Sequence, residues 1–382
     1  MPIKIKYTGP CKDYSGYGEA NRHDVGSLVA AGIEVTTQIP NYTLEISDFG
    51  HLGELAASLE GRELGYRIKI LHTTPNVYPA FMEPGKYHIG RAFWETDKLP
   101  LDFAAPMQKM DEIWTGSEYN LRAIRNAGVT KPIYIIPEAI DDSLDVSTVK
   151  PYMIANTNDY KFYSIFEWTE RKNPGALLTA FWQEFEHDEN VSLTLKTYVD
   201  NFTPEKRKEI DMMIKRIKKR LNLTRYAPVY TYRNLMDRYQ IYRLHKTFDC
   251  FVSAHRGEGW GVPQMEALLL ENPVISTNCG GIHEYLRDKE DALLIPYTLT
   301  QIGENSRNKQ WYTPDQKWAE VDTDVLRSSM RWVFNNQEAA KKLGRRGRTT
   351  VVNTFSLSAV GERMRSRLKE ITDKLLEQPE NI

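Results

Sequence analysis

The stretch HRGEGWGVPQMEALLLENPVIST, His255–Thr277, reads as a loop, a helix and a strand in that order. A short apolar run, Cys250–Ser253, leads into it and has the length of a buried strand. Gly257, Gly259 and Gly261 open the loop. Pro263 begins the predicted helix Pro263–Leu270, where a missing N–H costs no bond, and Val274–Thr277 is the next predicted strand. Glycine-rich backbone at a helix N-terminus turns free N–H groups and the positive end of the dipole toward an anion. Glu258 stands in the loop, and Glu266 follows after seven intervening residues, inside the helix. A carboxylate beside a phosphate site does not bind the phosphate, so its partners are hydroxyls. Two of them flanking a diphosphate suit a nucleotide sugar. Residue types alone also leave open an ordinary βα turn with a glutamate favoured by the helix dipole.

Outward from this stretch the same alternation fills the chain. Before it come predicted strands at Ile3–Tyr7, Ile33–Gln38, Arg67–His72, His88–Phe93, Glu112–Gly116 and Ile133–Ile136, with helices at Glu19–Ala31 and Ser117–Ala127. A second set has strands at Phe162–Phe166, Val191–Thr197, Val229–Tyr232, Cys250–Ser253, Val274–Thr277 and Ala292–Ile295. Its helices fall at Asn173–Phe185, Pro204–Leu221, Leu235–Leu244 and Pro263–Leu270, and the tail from Thr323 is helical. Strand-then-helix order predicts an α/β fold with parallel sheets covered on both faces. The two halves meet in a polar linker between Ala139 and Tyr160, and Thr298–Lys317 reads as a long surface loop.

A length of 382 residues suits two or three domains. Lys plus Arg is 50 and Asp plus Glu is 51, a net charge of −1, which argues against a surface given wholly to nucleic acid. Cys11, Cys250 and Cys279 are odd in number and outside any metal-ligand spacing. They predict reduced thiols, with no disulfide framework and no zinc site. The N-terminal MPIKIKYTG lacks a signal peptide's apolar run, and no stretch approaches the roughly 18–20 apolar residues of a membrane span. The expected location is the cytoplasm, with no integral membrane segment.

His255–Thr277 and the GGIHEYL after it closely resemble the donor-site motif of family-4 retaining glycosyltransferases of the GT-B fold, the glycosyl transferases group 1, whose pattern is Glu, seven residues, Glu. By that resemblance Glu258 contacts the transferred sugar and Glu266 the ribose hydroxyls. The backbone of Gly259, Trp260 and Gly261 meets the diphosphate and sugar. In IFEWTERKNPGALLTAF, Ile165–Phe181, Arg171 and Lys172 sit in a βα loop at a sheet's C-terminal edge, placed to hold a diphosphate leaving group or else forming a solvated turn. Lys172-Asn173 aligns with the family's cationic loop. The family's Arg, though, falls about five residues before its Lys, where this chain has Glu167.

DYSGYGEANRHDVGSL, with Gly16, Tyr17 and Gly18, resembles the family's N-terminal glycine-rich loop, which faces the donor phosphate. A dinucleotide fingerprint would need a third glycine that is missing. HIGRAFWETDKLP and DEIWTGSEYNLRAI resemble the N-domain pattern, which sets Trp94 and Glu95 at the acceptor pocket. A core role stays open for Trp94 and Trp114. His72 ends its strand where family members often carry a histidine near the reacting centre, and a satisfied interior histidine is the rival reading.

The resemblance covers nearly the whole chain. It implies two Rossmann-like domains facing across a cleft: 1–150 on the acceptor side, 151–360 on the donor side, and a C-terminal helix, 361–382, crossing back to the first. It implies transfer of a hexose from a UDP- or GDP-sugar to an acceptor hydroxyl with retention. The catalytic set would be Glu258, Lys172, Arg171 and His72. The expected route is a same-face substitution with no metal or other cofactor, because no Asp-x-Asp stands in a suitable loop and no carboxylate is a convincing nucleophile. The partners implied are a nucleotide sugar and a sugar, lipid-linked or polymeric acceptor. Lys206–Arg225 is strongly basic. It reads as a solvated amphipathic helix with Ile210, Ile214 and Ile217 inward, or as contact with a polyanionic acceptor such as modified DNA, anionic lipid or acidic glycan. A sugar-nucleotide epimerase and a non-catalytic nucleotide-sugar or glycan-binding protein are the rival classes.

Overall fold

A computed structural model describes residues 2–40, 48–154, 159–303 and 310–377. The chain divides into two units, Met1–Leu144 with Val351–Ile382, and Asp145–Thr350.

Six parallel strands build the first unit: β1 (Lys4–Thr8), β2 (Glu34–Gln38), β3 (Ile68–Leu71), β4 (Tyr87–Arg91), β5 (Glu112–Thr115) and β6 (Ile133–Ile135). Their order is β2-β1-β3-β4-β5-β6. From β1 the chain steps outward to β2, then returns past it to β3 and proceeds the other way. Loops leaving β1 and β3 therefore diverge, and a crevice opens at their carboxyl ends. Ile5, Tyr7, Val35, Ile68, Ile70, Ile89 and Trp114 form the buried core beneath the helices. Trp114 is thus a core residue, its indole N–H donated to Glu112 at 2.7 Å.

The second unit repeats this architecture with β7 (Tyr160–Glu167), β8 (Val191–Tyr198), β9 (Val229–Tyr232), β10 (Cys250–Ser253), β11 (Val274–Thr277) and β12 (Leu293–Ile295), all parallel. The order β12-β11-β10-β7-β8-β9 is that of a doubly wound sheet, with its reversal between β7 and β10. Phe162, Leu193 and Leu195 of the sheet pack against Leu177, Phe181 and Trp182 of the helix Pro174–Glu184.

Two local expectations are corrected. Residues at both ends of the expected loop Thr298–Lys317 pair as an antiparallel hairpin of β13 (Tyr297–Gln301) and β14 (Lys317–Val321). Residues 304–309 of that loop, like residues 155–158 of the expected linker, lie outside the described residues. YTLTQ buries neither face, with Thr298, Leu299 (52%) and Gln301 exposed, so no apolar run marks it as a strand. Gly16–Gly18, read as a loop, form the first turn of the helix Gly16–Ala30, because the Ser15 side chain caps it by accepting from the Gly18 N–H at 3.4 Å.

The chain re-enters the first unit within the helix Gln337–Phe355, at Val351 rather than at 361. The last helix, Leu357–Glu377, then lies along Gly16–Ala30. Gly361 permits this approach: a Cβ there would stand 2.2 Å from the Ser27 carbonyl oxygen. Gly361→Ala is therefore expected to cost about 1–3 kcal/mol through overpacking. Thermal unfolding checks this, and an unchanged melting temperature would mean that the two helices do not meet so closely.

Candidate active site

The loops that follow β7 and β10 leave the second sheet at its point of reversal, and they carry the residues of interest. After β7, Asn173 adopts the left-handed conformation (φ 50°) and caps the helix Pro174–Glu184 by accepting from the Ala176 N–H at 3.3 Å. This sharp turn holds Lys172 and Arg171 at the sheet edge. After β10 comes Glu258, 8% exposed. Lys172 Nζ donates directly to its Oε2. Arg171 Nη1 donates to the Gly257 carbonyl at 2.8 Å and lies 3.8 Å from Glu258 Oε1. Burial alone would raise the Glu258 pKa, but Lys172 and Arg171, followed by His255, outweigh it and bring it to about 2.

His255 is fully buried, and burial lowers its pKa to about 4. Its Nε2 lies 2.9 Å from the Cys279 carbonyl and its Nδ1 3.0 Å from Ser253 Oγ, so the neutral ring donates through Nε2 and accepts at Nδ1. The Glu258 carbonyl accepts from the Gly281 N–H at 2.9 Å. A Cβ on Gly280 would stand 2.2 Å from that carbonyl oxygen, and one on Gly281 would stand 2.1 Å from that of Gly259. Only the paired glycines of GGIHEYL let this loop close over the Glu258 backbone. Trp260 turns its ring inward, 3% exposed and 5.3 Å from Tyr285. The backbone at Gly261 opens the helix Val262–Leu269 with no side-chain cap. Its N–H groups therefore have no side-chain acceptor at the cap, as an anion site requires.

Glu266 lies about one turn into that helix and is 2% exposed. Arg238 Nη2 donates to its Oε1, and His245 Nε2 lies 3.3 Å from its Oε2. His245 is held in turn by Tyr163, 2.7 Å from its Nδ1, and Asn272 Nδ2 donates to the Tyr163 hydroxyl at 2.7 Å. Burial lowers the His245 pKa, so the ring is neutral and its Nε2–H points at the carboxylate. Arg238, His245, Tyr163 and Asn272 were not picked out from the sequence. They lie 6 to 103 positions from Glu266, and no local pattern joins them to it.

The first unit has its own cluster at the reversal between β1 and β3. His72, fully buried, follows β3, and its Nδ1 lies 2.9 Å from Asp24 Oδ2 and 2.8 Å from the Tyr7 hydroxyl. Arg91 Nε pairs with the same Asp24 oxygen, and its other nitrogens donate to the carbonyls of Ile136 (2.9 Å) and Pro137 (3.1 Å). Burial pushes the Asp24 pKa up, but Arg91 and His72 prevail and hold it low. Burial lowers that of His72. A neutral His72 donating from Nδ1 to Asp24 leaves Nε2 as an acceptor, and among the described residues Nε2 has no partner. Tyr17 stands edge-on to the ring at 5.0 Å and donates its hydroxyl to the Thr73 carbonyl at 2.7 Å. Trp94 is 4% exposed, packs on Phe103 at 5.4 Å, and donates its N–H to Thr96 (2.6 Å) and the Lys98 carbonyl (2.8 Å). Glu95 beside it is half-buried.

Residues 164–304, which span both loops of the second unit, match the family described as Glycosyl transferases group 1. Over those residues the chain matches a group 1 glycosyl transferase domain. Its fold is that of GT-B glycosyltransferases. The chain is similar to the HepE protein of Anabaena, solved in complex with UDP and glucose, at 13% identity and a TM-score of 0.65 over 96% of this chain and 100% of that one. A sucrose-phosphate synthase from Thermosynechococcus elongatus matches at 15% identity and a TM-score of 0.68, over 97% and 100% of the two chains. A TarM mutant of S. aureus, solved with fondaparinux, alpha-GlcNAc-glycerol and UDP, matches at 14% and 0.58, over 79% of this chain and 55% of that one. No curated protein sequence matches.

The ion pair in this glycosyltransferase domain has a pH signature. Glu258 titrates below its ordinary 4.5 in the folded chain, so its stabilisation is complete above about pH 4.5 and fades as the pH falls toward 2. The contribution is about 3 kcal/mol at roughly 1.4 kcal/mol per pKa unit. Lys172→Met, which removes the first partner, is expected to flatten this acid limb in urea unfolding between pH 7 and 3. Parallel curves for the two proteins would show that Lys172 does not hold Glu258.

Proposed function

We propose that the chain is a retaining glycosyltransferase of family 4 that transfers a hexose from a UDP- or GDP-sugar to an acceptor hydroxyl without a metal. The observation that carries this reading is the Lys172–Glu258 pair at the reversal of the second sheet, beside the N-terminus of the helix Val262–Leu269. Lys172, Arg171 and the helix N–H groups would receive the diphosphate and neutralise the charge that grows on it as the sugar–phosphate bond breaks. Glu258, a carboxylate down to about pH 2, can accept hydrogen bonds from the transferred sugar but takes no proton at neutral pH. The acceptor's proton then goes to the departing phosphate oxygen as its hydroxyl attacks from the same face. Glu266, fixed by Arg238 and His245, is assigned to the ribose hydroxyls.

In the first unit, Gly16, Tyr17 and Gly18 at a helix N-terminus are assigned to a donor phosphate, and the Nε2 of His72 to a substrate hydroxyl. Trp94 and Glu95 are assigned to the acceptor side. The UDP and glucose held by the Anabaena relative favour UDP-glucose as the first donor to try. Cys11, Cys250 and Cys279 are all buried and form no disulfide among the described residues, which supports a cytoplasmic setting. No helix among the described residues is long and apolar enough to cross a membrane.

A polyanionic acceptor is a second reading. Lys208, Lys215, Arg216, Lys219 and Arg220 are exposed along the outer face of the helix Pro204–Leu221, whose Ile210 and Ile217 are buried. On that reading activity falls steeply with added salt.

Calorimetric titration with UDP, GDP, ADP and their hexose conjugates, without metal, tests the donor site. Glu266→Ala is expected to weaken nucleotide binding ~10-fold or more, the size of a lost charged hydrogen bond. Lys172→Ala is expected to lower kcat by roughly 100-fold while donor binding changes less. Wild-type kinetics in both variants would overturn the assignment. Donor interconversion without any acceptor would make the protein an epimerase instead.

A further inference from the structure

On the sheet face that carries the Glu266 network stands a lysine with no counter-charge. Lys196 lies near the carboxyl end of β8, in register with Ile165 of β7 and Tyr232 of β9. Register partners in a parallel sheet point to the same face, and so do residues two apart on one strand. Tyr163, two before Ile165, therefore shares the face of Lys196. Tyr163 is the residue that holds His245 and, through it, Glu266. One strand spacing and two residue rises put the Lys196 Cα about 8 Å from that of Tyr163, toward the carboxyl edge.

The Lys196 residue is 6% exposed. Its ammonium lies 5.6 Å from the centre of the Tyr198 ring and 5.1 Å from that of Phe202. Among the described residues it has neither a hydrogen-bond acceptor nor a carboxylate partner. Burial lowers its pKa to about 8, and no neighbouring charge opposes this. Ring faces attract the cation but offer no oxygen or nitrogen to its three N–H groups. An ammonium that meets only ring faces among the described residues, near a sheet's carboxyl edge, is placed to donate to a ligand.

The nucleotide has a direction on this sheet. Its diphosphate is assigned to the reversal between β10 and β7, and its ribose to Glu266. Beyond the reversal the sheet continues through β8 and β9, and a base extending that way meets Lys196. We propose that Lys196 selects the donor's base by donating to a ring carbonyl. Uracil and guanine carry a carbonyl where cytosine and adenine carry an amino group, and an amino group would meet the ammonium donor against donor. This inference rests on the assignment of Glu266 to the ribose.

The test is calorimetry of UDP, GDP, ADP and CDP against the wild type, Lys196→Met, Lys196→Gln and Glu266→Ala, with thermal melting of each variant to verify folding. The wild type is expected to bind UDP or GDP ~10-fold or more tighter than ADP and CDP. Lys196→Met removes that preference by weakening the carbonyl-bearing nucleotides. Lys196→Gln, which keeps an N–H donor, retains part of it. Glu266→Ala weakens all four alike. A Lys196→Met protein with undiminished preference, or with all four weakened equally, overturns the base assignment and leaves the ribose reading standing. A Glu266→Ala protein that binds all four as the wild type does would overturn both.

Discussion

The ion pair between Lys172 and Glu258 joins the two loops that leave a parallel sheet where its winding reverses, and the rest of the second unit serves to keep it there. Parallel strands order the loops, since β7 and β10 are neighbours in space although 86 residues separate Lys172 from Glu258 in sequence. A buried carboxylate is tolerable only when its charge is met. Lys172 and Arg171 meet it, and Asn173 and Pro174 turn the chain so that both can. On the other loop, Gly280 and Gly281 allow backbone to close over the Glu258 and Gly259 carbonyls.

The first unit solves the same topological problem with a different interior. Its reversal lies between β1 and β3, and the helix after β1, Gly16–Ala30, buries Glu19, Asn21, Arg22, His23 and Asp24 along with few apolar residues. That helix is held largely by charge. Arg22 pairs with Glu19, His23 lies 3.1 Å from Glu19 and 3.9 Å from Glu138, and Asp24 is tied to Arg91 and His72. The pairs that leave the helix, His23 with Glu138 and Asp24 with Arg91 and His72, specify one register, since slipping the helix by a residue would strand those charges in a low-dielectric interior.

This contrast explains what the sequence could and could not disclose. Strands Cys250–Ser253 and Val274–Thr277 fall on their expected residues, because a strand buried on both faces is a bounded apolar run, and the partly exposed edge strand Val229–Tyr232 does so too. β13 was missed because it buries neither face and its partner β14 lies beyond residues that carry no pattern. Glu258, Lys172 and Glu266 were legible as charges at glycine-rich or strand-end positions. Asp24, Arg91, Arg238 and His245 were not, since each acts by touching a residue on another element. Trp94 was legible by its residue type, whereas the bonds of its indole N–H to Thr96 and the Lys98 carbonyl, two and four residues away, were not.

Because Glu258 and Lys172 neutralise each other, neither can be substituted without disturbing two properties together. Removing Lys172 takes away a cation assigned to the leaving group, and it also leaves Glu258 buried with a weaker partner, Arg171, 3.8 Å from Oε1. A loss of activity in that variant therefore mixes chemistry with a change in the charge state of Glu258. Replacing Glu258 with Gln alongside Lys172→Ala removes the uncompensated charge, and Glu258→Gln alone supplies the loss that comes from the altered sugar contact. The activity that returns in the double variant measures how much of the single variant's defect was electrostatic disorder at Glu258. The part that does not return, beyond the loss seen in Glu258→Gln alone, belongs to Lys172 acting on the diphosphate.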